Sequence, residues 1–429
     1  MAAKQTVVII GNGWGGFTVA HGLLTSKYNI AVIAPIRTIQ YTPLLASAAA
    51  AHFDFRLAEE PVRRRNRMPE LRYHKANVED IDFDKRLVYC RPAIANIAGN
   101  DFSNKDKSCF TVNYDKLVIA PGCINQTFGT PGALEHANFL RTTNDARLIQ
   151  QRILEMLDAA SVPGLTDAQQ RDILRIIIVG GGPIGIEAAA ELFDLWNDDM
   201  KYLYAHLQGK FSIEIHDVAE KLLGSFEGKL GEYAEDKLKK RGIEIQTESH
   251  IEKVEADAIY TKELGQIRYG LLLWATGNGA NPLVEKLESV KKTDKLPRIL
   301  TDKRLRVLQK ENDQVMENVF ALGDSADIDG NFLPMLAEVA VQKAEWLTKA
   351  LNDDGGESPK PFEYKQKASL AYLGGQDGVA DGEWTGQSAW LAWRSGSIWH
   401  WPRSWRRTLM IGISWIFNVV GGRDIARKW

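Results

Sequence analysis

Two segments of the chain show the same order of apolar and polar positions. Each begins with four consecutive β-branched residues, continues through a glycine-rich turn and ends in a helical pattern rich in small residues. The segments are Val7–Ile10, residues 11–16 and a helix from about Phe17 to Leu24, then Ile176–Val179, residues 180–185 and a helix from about Ile186 to Phe193. Short apolar runs bounded by turn signals are typical of buried parallel strands. The pattern therefore predicts two strand–turn–helix units in an α/β fold.

The patterns between and after these units place one inside the other. A helical pattern from Asp145 to Ala159 leads into the second unit, and the apolar run 318–322, which ends in a polar turn, reads as a further strand of the first. We predict a first domain of residues 1–145 and 291–352, an inserted domain of residues 146–290 and, beyond the polar linker 353–359, a C-terminal segment of residues 361–429.

Both turns match the spacing G-x-G-x-x-G. In this pattern the first glycine permits the tight turn, the second lets backbone amides approach a pyrophosphate, and the third allows close packing of helix and strand. The phosphates would lie at the positive N-terminus of the helix. The matching glycines are Gly11, Gly13 and Gly16 in the first turn and Gly180, Gly182 and Gly185 in the second. Because each copy follows a strand and opens a helix, we predict two Rossmann-like dinucleotide-binding domains rather than two turns without function.

The residue after the second strand of such a unit indicates which nucleotide is preferred, since an acid there hydrogen-bonds the adenosine ribose. In the second unit the run Phe211–His216 leads to Asp217, which would accept from a 2'-hydroxyl and repel a 2'-phosphate. This favours NADH over NADPH, with a solvated carboxylate as the alternative. The first unit has Ala34 and Pro35 at this position, so its ribose must be held otherwise.

Composition argues against several other classes of protein. The chain of 429 residues has a formal net charge of -2, which does not indicate nucleic-acid binding. Its cysteines, Cys90, Cys109 and Cys123, form no C-x-x-C pair, so we expect no dithiol redox site. No cluster of His, Cys, Asp and Glu has metal-ligand spacing. No apolar run reaches the ~18 residues of a membrane span, and no leader pattern precedes the strand that begins near Thr6.

The C-terminal segment differs in character from the rest of the chain. It holds eight of the 12 tryptophans, and residues 386–429 contain seven basic residues against the single acid Asp424. The apolar stretch Leu409–Val420 predicts a short helix, and one face of it carries Leu409, Ile413, Ile416, Phe417 and Val420. Tryptophan and arginine around such a helix suit a membrane interface. A cap over the core or a dimer seam is the alternative.

Seven short motifs resemble the type II NADH:quinone oxidoreductases, the single-subunit alternative NADH dehydrogenases, and most of all the fungal mitochondrial kind. They lie at residues 11–15, 41–45, 114–122, 179–189, 273–278, 320–324 and 371–374. The resemblance implies a glutathione-reductase-like pair of domains, with FAD in the first and NADH in the inserted one. It also implies a homodimer attached to the mitochondrial inner membrane, with its C-terminal segment on the lipid. Such an enzyme transfers hydride from NADH to FAD and then two electrons to a quinone without pumping protons.

The resemblance also implies roles for individual residues. Asp324 would hydrogen-bond the ribityl chain of FAD, and Glu187 would lie near the nicotinamide, although it could act only as a helix-dipole partner. The residues implied for FAD are Gly11, Gly13, Trp14, Gly15, Gly16, Thr42, Pro43, Leu44, Ala76, Val78, Ala120, Gly122, Gly323, Asp324 and Ala337. Those implied for NADH are Gly180, Gly182, Pro183, Ile184, Gly185, Asp217, Ala275, Thr276 and Gly277.

The helix expected to border the quinone departs from the family pattern A-Q-x-A-x-Q-E. Glu338 replaces a glutamine and Lys343 an acid, whereas Gln342 is kept. An ionised carboxylate only accepts hydrogen bonds, so Glu338 could replace an amide donor only if burial raised its pKa. We predict Glu187, Glu338 and Gln342 as catalytic residues. Two alternatives stay open: a reductase of a biosynthetic quinone or other aromatic acceptor, and an NADH-binding flavoprotein similar to apoptosis-inducing factor.

Overall fold

The chain divides into two compact units. The computed structural model describes residues 4–63, 71–94, 109–224, 228–356, 360–367, 370–380 and 384–425. The first unit comprises Met1–Ile39, Pro61–Ile124 and Asn278–Lys367, and the second comprises Gln40–Glu60, Asn125–Gly277 and Ala368–Trp429. The second unit thus includes residues 40–60 and the C-terminal segment. The functional domain bounds, with the insertion at residues 146–290, stay a prediction.

The described residues form the following strands and helices. The strands are β1 Gln5–Ile10, β2 Tyr28–Ala34, β3 Thr38–Gln40, β4 Glu59–Pro61, β5 Leu71–Asp82, β6 Leu87–Pro92, β7 Phe110–Asn113, β8 Lys116–Ile119, β9 Ile124–Asn125, β10 Arg175–Val179, β11 Ser212–His216, β12 Glu244–Gln246, β13 Ile251–Val254, β14 Ala258–Thr261, β15 Gly265–Arg268, β16 Leu271–Trp274, β17 Asn278–Gly279, β18 Ile299–Thr301, β19 Arg306–Leu308, β20 Val315–Ala321, β21 Ala326–Ile328, β22 Leu370–Gly374, β23 Asp377–Ala380 and β24 Trp384–Thr385. The helices are α1 Trp14–Gly22, α2 Leu45–Ala49, α3 Ala133–His136, α4 Thr143–Ala160, α5 Asp167–Leu174, α6 Pro183–Leu195, α7 Lys201–Leu203, α8 Gly228–Lys240, α9 Pro282–Lys286, α10 Ala337–Asp354, α11 Gln387–Ser395 and α12 Trp405–Gly421.

The first unit is built on a ten-stranded sheet with the order β21-β18-β19-β20-β8-β1-β2-β5-β6-β7. Its centre, from β20 to β5, is parallel. Val7, Val8 and Ile9 of β1 are completely buried, because parallel strands are covered on both faces and need apolar side chains along their whole length. Helices α1 and α10 pack against each other. The glycine-rich turn after β1 connects this sheet to the N-terminus of α1.

The second unit repeats the layout on a smaller parallel sheet, with the order β12-β11-β10-β16. Ile176, Ile177 and Ile178 of β10 are completely buried, and α6 follows β10 after the second glycine-rich turn. The strands β13, β14 and β15 form a separate antiparallel sheet. The C-terminal residues add the antiparallel strands β22 to β24 and the helices α11 and α12, and β22 packs on α6.

The helices after both glycine-rich turns begin earlier than the sequence pattern predicts. Helix α1 begins at Trp14 rather than at about Phe17, and α6 begins at Pro183 rather than at about Ile186. The last glycine of each fingerprint lies inside the first helical turn, where it permits a close backbone approach and does not interrupt the helix. Proline at the first helical position is also favourable, because it has no N–H to leave unbonded.

Helix α12 extends the predicted helix Leu409–Val420 at both ends. Ser404 caps its N-terminus by accepting from the N–H of Arg407 at 3.4 Å. The predicted apolar face is exposed, whereas Ile411 and Trp415 on the other side are buried. Among the residues that the structure describes, no helix is both long and apolar enough to cross a membrane. Arg427, Lys428 and Trp429, which belong to the predicted basic tail, lie outside the described residues.

Candidate active site

The two glycine-rich turns share one backbone geometry. Gly11 and Gly180, the first glycine of each turn, have φ angles of +98° and +110°, a region that other residues rarely adopt. A Cβ atom on Gly11 would lie 2.0 Å from the carbonyl oxygen of Ala120, and one on Gly180 would lie 2.7 Å from that of Ala275. Each turn therefore lies directly against the end of the neighbouring parallel strand, β8 or β16.

The second glycines leave open space in front of each helix. A Cβ atom on Gly13 or Gly182 would meet nothing within 4 Å, and each glycine is the N-cap of its helix without a side-chain cap. The third glycines are packed instead, since Cβ atoms on Gly16 and Gly185 would lie 2.1 and 2.0 Å from the carbonyl oxygens of the first glycines. Backbone amides at an uncapped helix N-terminus bind anions. Both turns therefore fit the pyrophosphate of a dinucleotide.

Asn12 distinguishes the first turn from the second. Its side chain is buried, at 6% exposure, and neither its amide nitrogen nor its amide oxygen has a hydrogen-bond partner among the described residues. A buried polar group left unpaired costs about 1–3 kcal/mol, so the site suits a ligand that supplies both partners. Gly181 takes this position in the second turn, and its N–H donates to the carboxylate of Asp217.

Asp324 lies at the carboxyl edge of the first unit's sheet, three residues after β20. Gly323, with φ of +79°, turns the chain there, and Sγ of Cys123 donates to Oδ2 of Asp324 at 3.1 Å. Arg298 braces the same loop by donating from Nε to the carbonyl oxygen of Asp324 at 3.1 Å and by pairing with the buried Asp327. The Asp324 carboxylate is thus held where it can accept from the hydroxyls of a bound polyol chain.

The other residues predicted to contact FAD fall in both units. In the first unit, Ala76 and Val78 lie on β5, Ala120 and Gly122 follow β8, and Trp14 and Gly15 begin α1. Ala337 begins α10, a second long helix of that unit without a side-chain cap at its N-terminus. Residues Thr42–Leu44 belong to the second unit and form a single 3-10 turn.

Asp217 follows β11 directly and is bound to the second glycine-rich turn. Its Oδ2 accepts from the N–H of Gly181, and its Oδ1 accepts from the N–H of Ala219 at 2.8 Å. The side chain is only partly buried. The carboxylate therefore lies beside the turn at the place where an acid meets the adenosine ribose in such a fold.

The loop 275–277 lies beside the same turn. The N–H of Ala275 donates to the carbonyl oxygen of Val179 at 2.7 Å, and Oγ1 of Thr276 donates to the carbonyl oxygen of Gln126. Gly277 is exposed, and a Cβ atom there would meet nothing within 4 Å. The structure thus brings Ala275 to the turn and leaves room around Gly277. Pro183 and Ile184 are the first two residues of α6, and both are exposed.

Glu187 is a buried acid two residues after Gly185, in the first part of α6. Nε1 of Trp393 donates to its Oε1 at 3.0 Å, and the N–H of Tyr372 donates to the same oxygen at 3.4 Å. Burial raises the pKa of Glu187 to about 8, although both hydrogen bonds act in the opposite direction. The carboxyl group is therefore mainly neutral at pH 7. The sequence indicates Glu187 but not its two donors, which lie 185 and 206 positions further along the chain.

Glu191, one helical turn further along α6, has the opposite character and is missed by the sequence analysis. Oγ of Ser47 donates to its Oε1 at 2.6 Å, and Nε2 of His52 lies 2.8 Å from its Oε2. Burial acts to raise the pKa of Glu191, but His52, and to a smaller extent Arg423, stabilise its charge and lower the pKa to about 2. Arg423 also lies 3.6 Å from the carboxylate of Asp199. Arg423, which follows α12, is thereby joined to the residues that come directly after α6.

Comparison with known proteins decides the family. The family model of pyridine nucleotide-disulphide oxidoreductases matches residues 5–344. A probable NADH dehydrogenase of Dictyostelium discoideum is 33% identical over 99% of this chain and 91% of its own length. A mitochondrial internal alternative NAD(P)H-ubiquinone oxidoreductase A1 of Solanum tuberosum is 31% identical over 99% of this chain and 88% of its own length. The chain belongs to the type II NADH dehydrogenase family.

A solved type II NADH dehydrogenase has the same fold. The NDH2 of Plasmodium falciparum, in a structure in complex with NADH, is 22% identical and superposes with a TM-score of 0.88 over 99% of this chain and 100% of its own. The α/β fold and the family resemblance seen in the sequence are thus confirmed. The relatives favour neither of the two alternatives, the reductase of another aromatic acceptor and the protein similar to apoptosis-inducing factor.

In this type II NADH dehydrogenase the polar side chains of the helix expected to border the quinone form hydrogen bonds with other residues of the same chain. Nε2 of Gln342 donates to Oε1 of Glu338 at 2.8 Å and to the carbonyl oxygen of Lys365 at 2.9 Å, and Oε1 of Gln342 accepts from the N–H of Lys365 at 3.1 Å. Oε1 of Glu338 also lies 2.6 Å from Nζ of Lys367. Glu338 therefore acts as an acceptor in these contacts, and Gln342 joins α10 to residues 360–367. A role of either residue toward a quinone stays a prediction.

Lys343, which stands where the family pattern has an acid, is almost completely buried. Its Nζ lies 3.7 Å from Oδ1 of Asp327, and Arg298 pairs with the same carboxylate. Burial lowers the pKa of Lys343 to about 8, and the attraction of Asp327 opposes this. The family pattern has an acid at position 343. The positive charge of the lysine found there is balanced within the first unit by the carboxylate of Asp327, which Lys343 shares with Arg298.

Proposed function

We propose that this protein is an FAD-dependent NADH:quinone oxidoreductase, with FAD bound to the first unit and NADH to the second. The proposal depends on one observation above all: a single chain of this family contains two complete dinucleotide turns, each packed against its own parallel sheet. Bound FAD supplies the two-electron chemistry, since its ring accepts a hydride and returns both electrons to a quinone. No proton is pumped, and the residues of the chain bind, orient and exclude water.

FAD fits the first unit because its polar groups meet unsatisfied or accepting groups there. The amides at the uncapped start of α1 would hold the pyrophosphate, and Asn12 would gain the hydrogen bonds that its buried amide lacks. Asp324 would accept hydrogen bonds from the ribityl hydroxyls, and these would replace the hydrogen bond that it now accepts from the thiol of Cys123. The start of α10, at Ala337, adds a second helix N-terminus, which favours partial negative charge on a ligand.

NADH fits the second unit through a different set of contacts. The open space in front of Gly182 would receive its pyrophosphate, and Asp217 would accept from the adenosine ribose. An ionised carboxylate at that position repels the extra phosphate of NADPH, so NADH is the preferred donor. The loop 275–277 and Glu187 would border the nicotinamide half of the nucleotide.

The acceptor is a quinone, and Glu338 and Gln342 on α10 are proposed to border it. Gln342 would act through the segment 360–367 that it holds, because both ends of its amide already bond to Lys365. The carboxylate of Glu338 accepts hydrogen bonds and cannot donate while it is ionised. A hydroxyl of a reduced quinone is therefore its natural partner, whereas the oxidised ring needs a donor from elsewhere.

The exposed face of α12 is proposed to lie on lipid. Toward its C-terminal end Ile416, Phe417, Val419 and Val420 are 66, 68, 88 and 84% exposed. Apolar surface of this extent marks an interaction site, and the flanking tryptophans and arginines suit the headgroup region of a bilayer. We place the protein at the surface of the mitochondrial inner membrane, as a homodimer, in keeping with the mitochondrial relatives. Flotation with vesicles of anionic lipid, compared with a variant that carries serine at Phe417 and Val420, tests this attachment.

Anaerobic stopped-flow mixing tests the central proposal. Purified holoprotein mixed with NADH should lose its visible flavin absorbance within one turnover, and a short-chain ubiquinone should restore it. Steady-state rates with quinones of different tail lengths would then define the acceptor. A protein that binds no flavin, or a flavin that stays oxidised with excess NADH, contradicts the proposal.

A further inference from the structure

An aromatic cluster from the C-terminal segment surrounds Glu187. The rings of Tyr372 and Trp393 are stacked, with centroids 4.9 Å apart and an angle of 19° between them, and Trp401 contacts Trp393 edge-on at 6.0 Å. Trp393 is almost completely buried, at 1% exposure. The family motif at residues 371–374 and the tryptophan-rich segment therefore meet on the helix that follows the second glycine-rich turn.

Both hydrogen bonds that Glu187 receives end on the same oxygen. Trp393 and Tyr372 donate to Oε1, and Oε2 has no hydrogen-bond partner among the described residues. In the neutral carboxyl group one oxygen carries the acid proton. A proton on Oε1 would lie close to the two N–H hydrogens that already point at this oxygen, and would repel them. The proton of neutral Glu187 must then be on Oε2, which makes Oε2 a hydrogen-bond donor.

We propose that Trp393 is a positioning residue, which places the proton of Glu187 on Oε2 and so presents an O–H donor to NADH bound at the second turn. This inference rests on the proposed function, because it takes the second unit as the NADH site. It deepens that function by assigning a group of the C-terminal segment to the nucleotide site. Trp393 lies on α11, which leads directly to α12, so the segment proposed to lie on lipid also completes the NADH site.

The charged groups around Glu187 are mostly paired with one another, and among them Glu191 adds to the rise in the pKa of Glu187. On α6, Glu191 is paired with His52, and Asp194 pairs with Arg241 and accepts from the hydroxyl of Tyr372. On α11, Arg394 lies over the ring of Trp415, 3.8 Å from its centroid. From the end of α12, Arg423 faces Glu191 and Asp199. Burial is thus the largest influence on Glu187 and raises its pKa, while the two N–H donors lower it.

The structure predicts the effect of pH on NADH binding. As the pH rises through about 8, Glu187 loses the proton on Oε2, and a donor becomes an anion beside a negatively charged nucleotide. The affinity for NADH should therefore fall. Loss of the indole N–H removes a group that favours the ionised form, so in such a variant the fall should move to higher pH. At pH 7 the same variant should bind NADH about three- to tenfold more weakly, because one hydrogen bond orients the carboxyl group less well than two.

The experiment compares Trp393→Phe with Trp401→Phe in the full-length holoprotein. Phenylalanine keeps an aromatic ring at either position, buried at 393 and partly buried at 401, but only Trp393→Phe removes a donor to Glu187. Dissociation constants for NADH, measured by titration calorimetry under anaerobic conditions from pH 6 to pH 9.5, should show the weaker binding and the shifted pH midpoint in Trp393→Phe alone. Glu187→Gln, which keeps a donor but cannot ionise, should give an affinity that does not change over this range. Equal affinities and midpoints in both tryptophan variants, or a retained pH dependence in Glu187→Gln, would overturn the inference.

A measurement on the unaltered protein covers the case in which Trp393→Phe does not fold. With 15N-labelled tryptophan, the indole N–H signal of Trp393 should shift with the same pH midpoint as NADH affinity and should stay constant in Glu187→Gln. An indole signal that does not respond to pH in the wild type also overturns the inference. Failure of the proposed function looks different, because the wild-type flavin would then not be reduced by NADH at all.

Discussion

The two glycine-rich turns have the same backbone but differ in what surrounds them. The first contains Asn12, whose buried amide lacks partners in the described chain, and no acid follows its second strand. The second contains Gly181, whose N–H is already bonded to Asp217. An unpaired buried amide costs about 1–3 kcal/mol, so the first turn is most stable with a ligand in place. The second turn already has a hydrogen-bond partner, Asp217, within the protein. The difference suits a resident cofactor in one unit and an exchanging substrate in the other.

The helices that follow the two turns also differ, in the acidic residues that they carry. Helix α1 carries no acidic residue, whereas α6 carries the buried acids Glu187 and Glu191, whose pKa values are about 8 and about 2. Two carboxyl groups one helical turn apart thus differ in protonation at pH 7, because Glu191 lies close to His52, Arg423 and Ser47, whereas Glu187 receives only two N–H donors.

The largest expected effect is that of Gly11→Ala. A Cβ atom there would overlap the carbonyl oxygen of Ala120 in a backbone conformation that alanine avoids, so we expect loss of bound FAD and a fall in the free energy of unfolding of more than about 2 kcal/mol. The ratio of flavin to protein and urea unfolding measure both. Gly164→Ala is the control, since Gly164 also has positive φ, +91°, but open space around it. Gly180→Ala should leave FAD bound while it weakens NADH binding, and equal flavin loss in both turns would remove the contrast.

Glu191→Gln should have the next largest effect. Removing the charge weakens the acceptor that Ser47 and His52 contact and should cost about 1–3 kcal/mol, whereas Glu155→Gln, at an exposed pair on α4, should cost less than about 1 kcal/mol. The lowered pKa of Glu191 also sets a direction with pH. The stability that it contributes is complete above the unfolded value of about 4.3 and is lost as the pH falls toward about 2. Urea unfolding at pH 7 and pH 3 should therefore show a smaller penalty for Glu191→Gln at pH 3.

Asn12→Ala tests the first turn directly. Without FAD the variant should be about 1–3 kcal/mol more stable than the wild type, because it removes an unpaired buried amide. With FAD it should bind the cofactor about tenfold more weakly, because the hydrogen bonds to the ligand are lost. Thermal unfolding of the apoprotein and flavin titration give the two values, and Asn29→Ala, at an exposed position of β2, is the control. A variant less stable than the wild type in the absence of flavin would contradict this account of Asn12.

The smallest expected effect is that of Asp217→Asn. Asparagine keeps an oxygen for the N–H of Ala219 but loses the charge, so the preference for NADH over NADPH should fall by about tenfold, which corresponds to ~1.4 kcal/mol. The ratio of kcat/KM for the two nucleotides measures it. Asp257→Asn, at an exposed site of the same unit, should leave the ratio unchanged. An unchanged ratio in Asp217→Asn would mean that the carboxylate only holds the turn through Gly181 and Ala219 and does not select the nucleotide.

The sequence predicted those features that depend on neighbours along the chain. The fingerprints at residues 11–16 and 180–185 could be recognised because their strand, turn and helix are consecutive, and β1 and β10 because their residues are uniformly apolar. Helix starts were placed about three residues too late, since the pattern does not tell a glycine that packs inside a helix from one that precedes it.

Contacts between distant parts of the chain could not be predicted in this way. Trp393 and Tyr372 lie 206 and 185 positions from Glu187, and no local pattern indicates which tryptophan of the C-terminal segment turns inward. For Lys343 the sequence showed an unusual charge, but its compensation by Asp327 depends on where the fold places α10 relative to β21. The pKa values of the site follow from burial, which is a property of the folded chain.

Helix α12 is fastened at both ends before anything covers its exposed face. Near its start Oγ of Ser404 donates to Glu60 at 2.9 Å, and near its end Nδ2 of Asn418 donates to the carbonyl oxygen of His52 at 2.7 Å. A surface that receives this face therefore meets a rigid, pre-shaped element. Adsorption would then require little further loss of conformational entropy.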